Sequence, residues 1–497
     1  MRDAVIQTTV LPNMEWGFWR AATARPEAVA IVDGAGNETS YGELLAMSRS
    51  LAAGLRERGG RRGDVVAAVL GNEPAFFATQ LAAFESGLYF TPVNTHLAAP
   101  EIDYVVADCE PVAVVTGETI PALLVPGAGA PPERSPGLQM MYTSGTTGKP
   151  KGVKKPLPVG DPDDVHGGNA ARTAQGFGVP LEPHRHLVCG PLYHAGPFVG
   201  AGTTLQLGAT VVLLDKWSPE GFLAAVERHR IATTQMVPTM FHRLLALPEA
   251  VRDRYDMSSL RSVFHTGAPC PVDVKQRLMD WWGPVVYETY GGTESIATIA
   301  TPKRWLSKPG TVGRPINGVT LHILDDDGYE LGSGETGEIW IDSGVEPPEY
   351  HGDPDKTARM RRGGLVSLGD IGFVDADGCL FLRDRKIDLI ISGGVNVYPA
   401  EVESALLADP RVGDAVVIGA PDPEWGEQVV AIVEPADGVV ASGELAASLL
   451  DECRARIAAF KCPRRIDFVA TLPRLPNGKV EKRRLRDAYW AGTARAI

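Results

Sequence analysis

Apolar runs of strand length at residues 65–70, 210–214 and 233–237 alternate with helix-periodic stretches at 76–85 and 219–229. This order constrains the fold more than any other feature, because parallel strands need a long crossover and a helix lying on the sheet supplies it. Residues 310–342 change character, with short strands, the turn Asp325-Asp326-Asp327-Gly328 and several glycines, which predicts a smaller β-rich subdomain. Past Asp384 the pattern restarts, with strands at 389–392, 415–419, 429–433 and 466–470 and helices near 400–408 and 443–460. The chain of 497 residues is thus expected to be α/β, with two domains. Residues 1–384 form a large domain of parallel-type α/β sheets plus the β-rich subdomain, and residues 385–497 a small α+β domain. The Gly- and Pro-rich residues 126–137 read as an exposed connection.

Composition excludes several classes. The 44% hydrophobic and 22% charged fractions are those of a globular domain. A formal net charge of -13 argues against general binding to nucleic acid, whose phosphates demand a basic face. The basic residues Lys479, Lys482, Arg483, Arg484 and Arg486 fit a solvated helix face. No basic segment followed by an apolar stretch opens the chain, and no run of ~18 apolar residues occurs, so no membrane span and a cytoplasmic location are expected. Six cysteines without a C-x-x-C pair suggest neither disulfides nor a zinc site. Absence of H-E-x-x-H and G-x-S-x-G lowers the metalloprotease and serine-hydrolase readings.

Residues 142–153 read Tyr-Thr-Ser-Gly-Thr-Thr-Gly-Lys-Pro-Lys-Gly-Val. Thr143, Ser144, Thr146 and Thr147 offer hydroxyls, Gly145 and Gly148 admit close backbone approach, and Lys149 and Lys151 bring positive charge, a set suited to a polyphosphate. An ordinary P-loop is excluded, since Gly145 and Gly148 stand too close and Pro150 follows Lys149 where a Ser or Thr should stand. A mobile linker has similar composition but normally lacks the apolar strand-like residues 138–142 before it.

The loop is followed in order by Pro191-Leu192-Tyr193-His194, Tyr287-Glu288-Thr289-Tyr290-Gly291-Gly292-Thr293-Glu294, Ser367-Leu368-Gly369-Asp370, Arg383-Asp384-Arg385-Lys386 and Pro476-Asn477-Gly478-Lys479. This set resembles, from end to end, the signature motifs of the adenylate-forming (ANL) superfamily of acyl-CoA synthetases, peptide-synthetase adenylation domains and firefly luciferase. The local wording is most similar to fatty-acyl-CoA synthetases. The resemblance implies that residues 385–497 are a mobile lid, with Ile387 where the family's hinge carries Asp or Lys. It also implies an acid–thiol ligase that uses ATP, Mg2+ and CoA.

Activating a carboxylate with ATP brings two anions together, so most of the implied residues neutralise or orient charge. Glu294 is the expected metal ligand, since magnesium takes few hard oxygens from protein. Thr293 would meet the α-phosphate, although a Thr-Glu pair alone would serve as a helix cap. Tyr290, flanked by Thr289 and Gly291, offers a face for adenine, with Gly267, Ala268 and Pro269 opposite; an aromatic of the α/β core is the competing reading. Asp370 suits the ribose hydroxyls and Arg385 the ribose or phosphate edge. Lys479, on a Pro-Asn-Gly turn, would reach the α-phosphate and the carboxylate together; an exposed turn lysine is the competing reading. Ser392, Gly393 and Gly394 would line the path of the pantetheine thiol. His194 is a gate near the acyl carbonyl or a hydrogen-bonded core histidine.

By position relative to the motifs, Phe198, Val199, Met236, Val237, Met240, Thr266, Gly291 and Gly292 line the acid pocket. Pro197-Phe198-Val199 stands where amino-acid-activating relatives carry an Asp, which favours a hydrophobic aliphatic or aromatic acid. The alternatives are a carrier-protein thiol as acceptor, activation of nitrite, an inactive nucleotide-binding homologue, and luciferase-like oxidation. A homodimer is the default assembly.

Overall fold

The computed structural model describes residues 16–143, 150–268, 270–385, 388–392, 395–474 and 480–491. The predicted alternation becomes a nine-stranded sheet. Its middle strands, Val286–Gly291, Ser262–His265, Thr233–Met236, Arg185–Val188, Thr210–Leu213 and Val29–Val32, are parallel in that spatial order. Antiparallel strands close both edges. Strands Ser262–His265 and Thr233–Met236 are buried throughout, as expected where helices cover both faces.

A second, four-stranded parallel sheet is formed by Ala113–Val115, Val65–Ala68, Tyr89–Pro92 and Leu138–Gln139. Helices Tyr41–Glu57, Pro74–Glu85 and Ala195–Gln206 contribute to the core around it, where Phe76, Phe90 and Phe198 pack edge to face and stacked. Aromatic pairs add stabilisation beyond the area they bury. A part-buried ion network ties helix Pro74–Glu85 to the start of helix Pro162–Phe177: the guanidinium of Arg134 meets the buried Glu85 at 2.9 Å, Asp163 at 2.9 Å and Asp161 at 2.8 Å.

The β-rich subdomain is a five-stranded sheet made by Thr320–Leu324, Gly337–Asp342, Leu365–Val374, Arg361–Arg362 and Leu380–Arg385. A three-stranded sheet joins Met141–Thr143 and Lys151–Lys154, the two flanks of the residue 144–149 loop, to Glu349–Tyr350. After residue 385 comes a further five-stranded sheet with helices Pro399–Leu407, Gly443–Arg456 and Lys482–Trp490. Helix Gly443–Arg456 stops short of the predicted 460, because Ile457 turns to extended dihedrals (φ -131°, ψ 160°) and a short 3-10 turn follows. The carboxylate of Asp384 accepts the backbone N–H of Ala400 at 2.8 Å, so the last strand before the boundary caps the first helix beyond it. Among the described residues no helix is long and apolar enough to cross a membrane.

Candidate functional site

The strand register brings the motif residues to one edge. Val188 pairs with Gln235, Gln235 with Phe264, and His265 with Glu288. The residues just past those strands, His194, Val237, Thr266 to Ala268 and Tyr290 to Glu294, therefore emerge side by side at the carboxyl ends of adjacent parallel strands. Open α/β sheets bind their ligands there. The sharp turn after Ser262–His265 uses Gly267 at φ +88°, a conformation that a side chain disfavours.

Two hydrogen bonds tie this edge to the other sheets. The hydroxyl of Tyr290 donates to Oδ2 of Asp370 at 2.9 Å in buried surroundings. Asp370 in turn lies opposite the backbone of Arg385 in the antiparallel pairing. The hydroxyl of Tyr350 donates to Oε1 of Glu294 at 2.7 Å, and the ammonium of Lys356 sits 3.8 Å from the Tyr350 ring centroid. Glu294 is thus joined to the strand that pairs with Lys151–Lys154. Its other oxygen lies over Gly292, where an added Cβ would come within 2.6 Å of it. Lys155 also feels the Glu294 charge, while burial pulls its own pKa down.

The remaining predicted residues divide. Thr143 ends a strand opposite Lys151. The ammonium of Lys151 is held by Asp108 at 2.7 Å, and Tyr142 donates to the same carboxylate at 2.8 Å. The hydroxyl of Thr289 is engaged by the carbonyl of Thr298 at 2.8 Å. His194 caps helix Ala195–Gln206 and packs edge-on against Tyr193 at 4.6 Å. Ser392 pairs with Gly426 in the C-terminal sheet. Ser144, Gly145, Thr146, Thr147, Gly148, Lys149, Pro269, Gly393, Gly394, Lys479 and the side chain of Arg385 lie outside the described residues.

Of the predicted acid-pocket residues, Phe198 sits in the aromatic core with Phe76 and Phe90. Met236 sits in the core on the opposite face of the sheet with Phe241 and Leu244, and Met240 packs against that same core. Val199 packs against the first core and Val237 is half-buried. The cause is the two-residue period of a strand: Gln235, and not Met236, faces helix Ala195–Gln206. Sequence reading missed Gln235, Tyr350 and Lys356. Only the first left a signal, an amide beside two threonines in a buried strand. A cleft of about 610 Å³ lined by Arg252, Tyr255, Trp281 and Trp282 lies at the amino-terminal ends of the same strands and holds none of these residues.

Residues 18–139 and 125–345 match the family model of the AMP-binding enzymes, and residues 401–479 that of their C-terminal domain. A feruloyl-CoA synthase of Amycolatopsis sp is 35% identical over 96% of this chain and 99% of its own length. An indoleacetate–CoA ligase of Aromatoleum aromaticum is 33% identical, covering 90% of this chain and 92% of its own. Among solved structures, the o-succinylbenzoate CoA synthetase of Bacillus subtilis, in complex with its acyl-adenylate intermediate, superposes with a TM-score of 0.79 at 29% identity over 96% of this chain and 98% of that one.

Proposed function

The chain belongs to the AMP-binding enzyme family and is an AMP-forming acid–CoA ligase, and we propose that it activates a compact hydrophobic acid, aliphatic or aromatic, at the edge carrying Tyr290, Glu294 and Asp370. The reading rests on the pair of hydrogen bonds that link the Thr289–Glu294 run to Asp370 and, through Tyr350, to the strand following the 144–149 loop.

In this reading the Tyr290 ring, oriented by its bond to Asp370, stacks on adenine, and the second oxygen of Asp370 accepts from the ribose. Thr293 donates to the α-phosphate, and the 144–149 loop wraps the β- and γ-phosphates. Glu294 suits a hard divalent ion. Its carboxylate is oriented by Tyr350, and no group of three or more His, Cys, Asp or Glu side chains converges among the described residues, so phosphate and water oxygens complete the shell of a bound magnesium. Magnesium supplies neutralisation of the phosphate charge. Lys479 orients the carboxylate oxygen for in-line attack at the α-phosphorus, where the new O–P bond forms as the bond to pyrophosphate breaks. The lid then presents Ser392, Gly393 and Gly394, the CoA thiol loses its proton, its sulfur bonds the acyl carbon, and AMP leaves.

A pyrophosphate-release screen over carboxylic acids, with and without CoA, tests this. Acid-stimulated release with CoA-dependent formation of a thioester is expected, and release stimulated by no acid overturns it. The Tyr350→Phe variant removes one hydrogen bond to the metal ligand, a change that typically costs about 10-fold or more in metal affinity. A magnesium titration of ATP binding followed by calorimetry should show that loss. An unchanged magnesium dependence would separate Tyr350 from the metal.

A further inference from the structure

Gln235 is 4% exposed and lies one residue from the end of its strand, on the face toward helix Ala195–Gln206. Its position is fixed by that helix. A Cβ added at Gly196, two residues past His194, would come within 2.8 Å of the Gln235 Cδ, 2.9 Å of its Nε2 and 3.0 Å of its Oε1. The carboxamide therefore occupies the space that a side chain at position 196 would fill. It makes one hydrogen bond, from Nε2 to the carbonyl of Met236 at 2.7 Å. Among the described residues no donor reaches its oxygen.

The oxygen is not among the fully enclosed polar atoms left without a partner, so it opens on space that a ligand atom can reach, where an apolar pocket would carry a Leu or Met of similar volume. The amide also stands where an activated acid must extend. In the ligase reading the carboxylate end lies near His194 and the Gly291 to Glu294 run, so the body of the acid would run between helix Ala195–Gln206 and strands Thr233–Met236 and Ser262–His265. That gap closes one helical turn further on. A Cβ at Gly200 would come within 2.8 Å of His186 Nε2 and 3.1 Å of Phe264 Cζ, so helix and sheet are in contact there and a long alkyl chain has no room in that direction.

We propose that the acid pocket ends on the Gln235 carboxamide, and that the substrate is an aromatic acid carrying a hydrogen-bonding ring substituent such as a phenolic hydroxyl. A phenol both donates and accepts, so it satisfies the amide in either orientation of its oxygen and nitrogen. The inference rests on the ligase reading above and deepens it. A site built to bond a substrate hydroxyl discriminates against the analogue lacking it, whereas an apolar pocket discriminates weakly.

Pyrophosphate release is to be measured for the matched pairs 4-hydroxycinnamate and cinnamate, and 4-hydroxybenzoate and benzoate. The wild-type protein is expected to favour the hydroxylated member in kcat/KM by about tenfold or more. Gln235→Leu should level or reverse that preference, mainly by raising KM for the hydroxylated acid and lowering it for the plain one. Gly196→Ala, whose methyl displaces the carboxamide, should act in the same direction and guards against a folding defect in the first variant. Equal losses on both members of a pair, or a wild-type preference for the plain acid, would overturn the role of Gln235 while leaving the ligase reading intact. Turnover of no acid at all would remove both.

Discussion

Replacing Lys479 with alanine is expected to lower adenylate formation by about 10³-fold, the upper end of the loss seen when one preorganised charge-stabilising donor is removed. Thiolysis of a supplied acyl-adenylate should change far less. The expectation starts from the described residues that flank the lysine. Arg474 and Val480, which flank residues 475–479, pair as an isolated antiparallel bridge, and the guanidinium of Arg474 is anchored on Asp414. That anchor faces the large domain. Burial and the positive charge of Arg243 both press the Arg474 pKa below its ordinary value, and His242 feels the Arg474 charge in turn. Both partners lie on helix Pro238–Leu245, which begins directly after strand Thr233–Met236 at the edge where the site assembles. In the ligase reading Lys479 acts at that edge, where an ammonium can bridge two anions that otherwise repel. Only the first half-reaction brings those two anions together. Separate assays of pyrophosphate release and of thiolysis decide the matter: a comparable loss in both would show that Lys479 supports the fold or the lid and not the adenylation step.

How much of this was legible beforehand follows from the range of the interactions involved. Strand and helix alternation set the parallel sheet, since the periodicity is local and each strand carries it. The motif strand 286–294 could be read because its Gly, Thr and Glu have few other uses in that order. The Tyr350–Glu294 bond could not, because it links positions 56 apart in sequence, and no local pattern marks a tyrosine that will meet that carboxylate. The core positions of Phe198 and Met236 were not legible for a different reason. Residues adjacent in sequence to a site do not all face it, and in a strand alternate residues point to opposite faces. Gln235 was the one amide in a buried strand whose other polar members are Thr233 and Thr234, which is the one sign that sequence alone offered.

Lys275→Met should destabilise the protein by about 3 kcal/mol or more, the usual cost of stranding one partner of a buried ion pair, and the double change Lys275→Met with Glu288→Leu should recover most of it. Lys275 is fully buried on helix Val272–Trp282, its ammonium 2.8 Å from Oε2 of Glu288 and 5.0 Å from the centroid of the Trp305 ring. His265 lies 3.6 Å from the same carboxylate, but burial, reinforced by the Lys275 charge, holds its pKa well below the ordinary value, so it stays neutral and cannot replace the lysine. Burial pushes the Glu288 pKa up, against the pull of Lys275. Without Lys275 that upward push is unopposed. A carboxyl whose folded pKa is raised contributes stability below its unfolded pKa and loses it as pH rises through the folded value. The single variant should therefore be closer to wild type near about pH 5 than near about pH 8, and the double variant should show no such trend. Thermal unfolding at the two pH values measures both. Glu288 immediately precedes Thr289 and Tyr290, so the pair can also bear on the position of the ring proposed to stack on adenine. If the double variant regains stability yet binds ATP as weakly as the single one, the ion pair fixes the position of Tyr290; if binding returns with stability, an apolar filling of the same volume holds the strand equally well.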